Sequence, residues 1–222
     1  GALDGVLPSD VGDMNVVDAF GGSGLVGNVI GNKGEKRTLN DFDPLTANAH
    51  VQARDNMDQV AAAAKGIESE ILTIRNANTT PETRHAAVLG LWNRLKDESS
   101  GIDYSKATDE QKAKAAAWFL FRTGSGTGQY GESQKIITGP EAKPPYKWQY
   151  RIRTIDRGLG VMRYHGEQLK GARITNLDAR QLLRDAKQGD DIVYLDPPYV
   201  DAAGYAAGKD LESVEGAVKF IK

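Results

Sequence analysis

Two short stretches hold the residue types best suited to chemistry. In YLDPPYV (Tyr194–Val200) an apolar run ends in an acid, two prolines and a tyrosine. A strand cannot continue through Pro197 and Pro198, because proline lacks the amide donor that a ladder needs. The turn is therefore stiff, and it fixes Asp196 relative to Tyr199. The second stretch, GGSGLVG, places Gly22, Gly24 and Gly27 in G-x-G-x-x-G spacing. Without a Cβ, the backbone amides of such a turn can touch a cofactor at the start of a helix. Asp41 follows Gly24 by 17 residues, which suits an acid that accepts hydrogen bonds from ribose hydroxyls. Asp18, just before the turn, is placed to assist. The pattern indicates a nucleoside cofactor, and both NAD and S-adenosylmethionine fit it.

These residues need elements to position them. NVVDAF (residues 15–20) is short, apolar and β-branched, as a buried strand should be. SGLVGNVIGNKG follows with Leu25, Val26, Val29 and Ile30 at helical spacing, and KRTLND predicts a second strand closing at Asp41. Strand, helix, strand is the start of an open parallel α/β sheet. From about Thr46 to Arg122 the pattern turns helical. Pro81 stands at a first helical position, Val88, Leu89, Trp92 and Leu95 share a face that reads as core, and Thr108 with Gln111 forms a capping-box pattern. Residues 124–150, rich in glycine, serine and proline, read as irregular. The α/β style returns with a strand at residues 173–176, a helix capped by Asp178 and ended by Gly189, and a strand at residues 191–195. The simplest architecture is one discontinuous domain, residues 1–49 with 171–222, carrying residues 50–170 as a mainly helical insertion.

Composition narrows the class. The chain has 222 residues, 40% hydrophobic and 26% charged, as in ordinary globular proteins. It has no cysteine, which excludes disulfides and thiolate metal sites, and its three histidines are scattered. No apolar run reaches the length of a membrane span. The net charge of -2 does not itself suggest a polyanion partner. Yet Arg122 to Lys170 holds nine Lys/Arg against four Asp/Glu, a basic segment able to present one face to phosphates.

Asp196-Pro197-Pro198-Tyr199 after an apolar strand, together with Phe20-Gly21-Gly22-Ser23-Gly24 near the start, resembles the Dam-type adenine-N6 DNA methyltransferases in their alpha arrangement. TLNDFDP (residues 38–44) resembles that family's ribose-binding segment, NLDARQLL the segment before its DPPY, and WFLFRTGSGTG the approach to its DNA-contacting loop. The resemblance implies a Rossmann-like methyltransferase sheet and S-adenosylmethionine as methyl donor, with no metal. It implies a donor site of Asp18, Phe20, Gly22, Ser23, Gly24, Asp41 and Asp178, the last near the donor's adenine. It also implies a catalytic turn of Asp196, Pro197, Pro198 and Tyr199 that grips the amino group of a flipped-out adenine in double-stranded DNA.

Within the insertion, Arg122, Lys135, Lys143, Lys147, Arg151 and Arg153 are then expected to contact phosphates or guanine edges. The stretch before the first strand lacks the lysine that the family carries there. Only four of the family's seven strands are legible, which leaves room for a partner chain or a second copy to complete the sheet. The expected setting is the cytoplasm of a prokaryotic or phage-infected cell, as in restriction-modification. Three other readings stay open: a catalytically silent DNA- or donor-binding module, an adenine-N6 methyltransferase acting on ribosomal RNA, and, more remotely, an NAD-linked oxidoreductase.

Overall fold

The computed structural model describes residues 14–22, 36–127, 135–136, 153–185 and 191–195. They divide into two compact units. One takes the described residues up to Ala47 and those from Gln168 onward, and the other takes those of Asn48–Glu167.

The first unit is built on a four-stranded parallel sheet. β1 is Asn15–Asp18, β2 Lys36–Asn40, β5 Arg173–Thr175 and β6 Asp191–Tyr194, and their order across the sheet is β5-β2-β1-β6. Every pairing is parallel. The two late strands thus pair with the two early ones. Each strand ends one residue before the predicted limit or earlier: β1 stops at Asp18, not Phe20, and β2 at Asn40, not Asp41. The chain passes from β1 to β2 to β5 on one side and then returns to place β6 on the other side of β1. The direction of winding therefore reverses between β1 and β6, and ligands of open α/β sheets bind outside the carboxyl ends of the strands at such a point.

Both faces of the sheet are covered. Val17 and its register partner Val193 pack with Ala19 against Ala179 and Leu182 of the short helix α6, Ala179–Asp185. One residue along, side chains point the other way. Leu39 and its partner Ile174 pack against Leu169 and Ala172.

The second unit is mainly helical, as expected. The helix α1, Pro44–Asp55, leads into it from the first unit, and α2 (Met57–Asn76), α3 (Pro81–Ser99) and α4 (Asp109–Ser125) follow. Pro81 is indeed the first helical residue, and the Thr80 hydroxyl accepts from the Thr83 amide. The capping box forms in both directions: Thr108 N donates to Gln111 Oε1 at 2.9 Å and Gln111 N to Thr108 Oγ1 at 3.2 Å. The α3 stripe buries Val88, Trp92 and Leu95 as predicted, but Leu91 takes the deep position assigned to Leu89. Trp92 meets Trp118 of α4 edge-on, ring centroids 4.6 Å apart, with Phe121 beside them.

Two differences from the sequence reading stand out. Residues 124–150 are not uniformly irregular, because α4 runs to Ser125 and β3 (Gly126–Thr127) pairs antiparallel with β4 (Lys135–Ile136). A helix α5, Arg153–Gln168, occupies a stretch that carried no assignment. It also joins two of the three scattered histidines. Nε2 of His165 lies 2.9 Å from Nδ1 of His50, where one hydrogen bond links the rings. Gly166 of α5 touches α1 so closely that a Cβ there would lie 2.0 Å from the Ala53 carbonyl oxygen.

Candidate functional site

The carboxyl ends of the strands bring Asp18, Phe20, Gly22, Asp41 and Asp178, five of the residues singled out in the sequence, to one edge of the sheet. Asp18 closes β1, buried, and its carboxylate accepts from the Phe20 amide. The chain then turns through two glycines that are needed for different reasons. A Cβ on Gly21 would sit 2.7 Å from Leu39 Cδ1 and 2.9 Å from the Asn40 carbonyl oxygen. Such distances mean that only a hydrogen fits between the turn and β2. Gly22 has φ of 45°, a left-handed conformation that side chains disfavour. That conformation aims its amide at Asp41 Oδ2, 2.8 Å away. The sequence pattern singled out Gly22. It gave no separate reason for Gly21, whose requirement comes from the neighbouring strand.

Asp41 is thus held by backbone amides from two sides. Gly22 N donates to Oδ2, and Asp43 N donates to Oδ1 at 2.8 Å. Burial pushes its carboxyl up to about 6, with the charges of Asp43 and Asp18 adding to the rise and the two amide bonds opposing it. Asp43 caps α1 in turn: its carboxylate accepts from Leu45 N and from the Thr46 hydroxyl. Phe42, between the two acids in sequence, is a large apolar side chain that is 46% exposed.

Asp178 lies beyond β5, at the start of α6. Its carboxylate accepts from the Arg180 amide at 2.8 Å and from the Arg180 guanidinium. The guanidinium is the main reason its carboxyl lies below the usual range. Phe20 packs against Ala19, Ala179 and Leu182, so its ring supports the turn from below.

Sequence reasoning missed Asn40 and Asn176. Asn40 is fully buried and makes four side-chain hydrogen bonds. Asn176 Nδ2 donates to the carbonyl oxygens of both Asp41 and Phe42. The signal available was weak: a polar residue where the buried end of a strand should be apolar.

Several expected residues are placed elsewhere or fall outside the described set. Ser23, Gly24 and the Asp196-Pro197-Pro198-Tyr199 turn lie outside it, as do Lys143, Lys147 and Arg151. The strand leading to that turn is described: Tyr194 is the register partner of Asp18, and Ala19 N donates to the Tyr194 carbonyl. Lys135 is in β4 and Arg153 opens α5. Arg122 is only 8% exposed, with its guanidinium 5.4 Å from the Phe119 ring centroid. That position packs the cation inside the helical unit instead of offering it to phosphates.

A parallel sheet with a glycine turn, an amide-held acid and a winding reversal at one edge is an arrangement at which open α/β sheets bind ligands. The family model of the D12 class N6 adenine-specific DNA methyltransferases matches residues 3–213, and the chain belongs to that family. Its class of reaction is therefore methyl transfer to adenine in DNA. No curated protein matches the chain in sequence. Among the described residues, no helix is long and apolar enough to cross a membrane.

Proposed function

We propose that this protein transfers a methyl group from S-adenosylmethionine to N6 of an adenine flipped out of double-stranded DNA, using a Rossmann-like sheet. The observation that carries the reading is the Asp41 carboxylate, fixed by the Gly22 and Asp43 amides at the carboxyl edge of a parallel sheet. An oxygen acceptor with two preset amide donors is suited to a vicinal diol, whose hydroxyls can each donate to it. Phe42 beside it offers an apolar plane for a purine. The site residues thus fit a nucleoside donor, whose sulfonium supplies an electrophilic methyl group when bound.

The chain's own groups then have distinct roles. Asp41 orients the ribose, and Gly21 and Gly22 let the backbone approach without side-chain interference. Asp178 accepts from the purine's amino group while sharing its charge with Arg180. Asp196 and the Pro197 carbonyl hold the two amino hydrogens of the target base. That draws the nitrogen toward tetrahedral geometry, with its lone pair aimed at the methyl carbon. With the donor bound, the methyl carbon would pass to the nitrogen and S-adenosylhomocysteine would leave; Asp196 would stabilise the positive charge that develops on the nitrogen, and one amino proton would then be released to solvent. Stacking on Tyr199 offsets part of the few kcal/mol needed to extrude a base, by about 1–3 kcal/mol. Residues 50–170 would serve as the DNA-recognition insertion, with Lys135, Lys143, Lys147, Arg151 and Arg153 on phosphates and base edges. Arg122 would anchor the approach to that segment from within.

The test is direct sequencing of methylated adenines in DNA from cells expressing the chain, with Asp196→Ala as control. The control is expected to abolish methylation and to bind donor as the parent does. Methylation retained in Asp196→Ala would remove that residue from the mechanism. Donor binding with no product from any duplex would favour a silent binding module, and product only on ribosomal RNA would move the substrate.

A further inference from the structure

Two side-chain amides cross between the exits of β2 and β5, and each grips the other strand's continuation. From β2, Asn40 Nδ2 donates to the carbonyl oxygens of Leu177 (2.9 Å) and Ala19 (3.0 Å). Its Oδ1 accepts from Leu177 N and from the Thr175 hydroxyl, both at 2.8 Å. From β5, Asn176 Nδ2 donates to the carbonyl oxygens of Asp41 (2.7 Å) and Phe42 (2.8 Å). The orientation of the Asn40 amide follows from its partners, because a backbone amide can only donate and a carbonyl can only accept.

Asn40 therefore treats Leu177 as a strand partner would, bonding both its amide and its carbonyl. Backbone pairing ends with Asp41 N on the Thr175 carbonyl at 3.1 Å, and the side chain supplies the next rung. The same amide reaches Ala19, the residue before Phe20-Gly21-Gly22. Three chain segments meet on it: the start of the glycine turn, the end of β2 next to Asp41, and the segment leading to Asp178. No other residue type of this size offers two donors and two acceptor sites on one planar group.

We propose that Asn40 and Asn176 form a reciprocal amide clamp that sets the spacing between the glycine turn, Asp41 and Asp178, and so act as positioning residues for donor binding. This rests on the reading of that edge as the donor site. Asn40→Asp keeps the size and the acceptors but loses both donations. Asn176→Ala removes two bonds from an exposed residue, so the fold should tolerate it.

Steady-state kinetics on a methylatable duplex, with calorimetric binding of S-adenosylhomocysteine, reads the effect. Donor KM and the Kd of this demethylated donor product should each rise at least ~10-fold in Asn40→Asp and about 3-fold or more in Asn176→Ala, as the lost positioning hydrogen bonds imply. The kcat at saturating donor and the KM for DNA should stay near those of the parent. A fall in kcat with donor KM unchanged would assign the amides to general stability and overturn the clamp. If Asn40→Asp does not fold, Asn176→Ala decides alone, and parental donor KM in it overturns the proposal. Asp41→Ala separates the two ideas. Donor affinity lost in Asp41→Ala but kept in both asparagine variants rejects only the clamp, whereas affinity kept in Asp41→Ala rejects the donor site and the clamp with it.

Discussion

Asp41 and Asp178 are both carboxylates just past the ends of strands in the same sheet, and their surroundings push them in opposite directions. Asp41 is partly buried, has no cation among its hydrogen-bond donors in the described residues, and is raised to about 6. Asp178 stands partly exposed against the Arg180 guanidinium and is lowered. The difference shows how two acids at one edge of a sheet can be tuned in opposite directions. Backbone amides fix Asp41 in place without neutralising it, so its demand for further donors is high. Asp178 is already paired with the exposed guanidinium of Arg180. Burial raises the energetic stake of a hydrogen bond, and an exposed ion pair lowers it.

The largest break in that contrast should come from Asp41→Ala. Losing an acceptor of two ribose hydroxyls should weaken donor binding about 100-fold, from roughly 3 kcal/mol for two charge-assisted bonds. Isothermal calorimetry with S-adenosylhomocysteine checks it, and an unchanged Kd would be incompatible with the assigned role. Next is pH. A ribose diol favours the ionised carboxylate, so donor affinity should fall about tenfold per pH unit below about 6. Asp41→Asn should flatten that profile.

The same group acts oppositely on the stability of the unliganded protein. Its folded pKa lies above the unfolded value, so its contribution is fully present below the unfolded value. It is lost as pH rises toward and through about 6. Melting of the free protein across that window, compared with Asp41→Asn, measures the sign.

Gly21→Ala should cost about 1–3 kcal/mol of stability by forcing β1 and β2 apart, and donor affinity should weaken as the Gly22 amide moves off Asp41. Chemical denaturation paired with calorimetry would show both. The smallest effect belongs to the other carboxylate. Arg180→Gln should return the Asp178 titration toward the ordinary carboxylate range while changing stability by less than about 1 kcal/mol, as expected for an exposed pair. Carbon-detected titration of the Asp178 carboxyl would report it.

Much of this molecule was legible in its sequence. Short β-branched runs marked β1 and β2, and the Thr108–Gln111 pair and Pro81 marked two helix starts, because these signals act within a few residues. Asp41 was legible as a candidate site residue from its place at the end of a strand after a glycine turn, whereas Asp178 was legible locally only as a helix cap, its site role coming from the family resemblance. The helix α5 was missed because its interior carries Gly158, Gly160 and Gly166, which read as breakers. Its packing explains at least one: Gly166 touches the α1 backbone, a contact made across more than a hundred residues of chain. Leu91 replaced Leu89 in the core because helix rotation is set by the neighbouring helices and not by the stripe alone.

What the chain determined locally was the identity of its elements, the glycine turn and the acids that flank it. Spacing along one backbone fixes those. Only the folded arrangement decided that Gly21 must be glycine, that Asp41 is held by the amides of Gly22 and Asp43 with its pKa raised by burial, and that Asn40 and Asn176 bind across two strand exits. The physical reason is separation. Asn40 and Leu177 are 137 residues apart in the chain, and hydrogen bonds between such groups exist only after the sheet has brought them together.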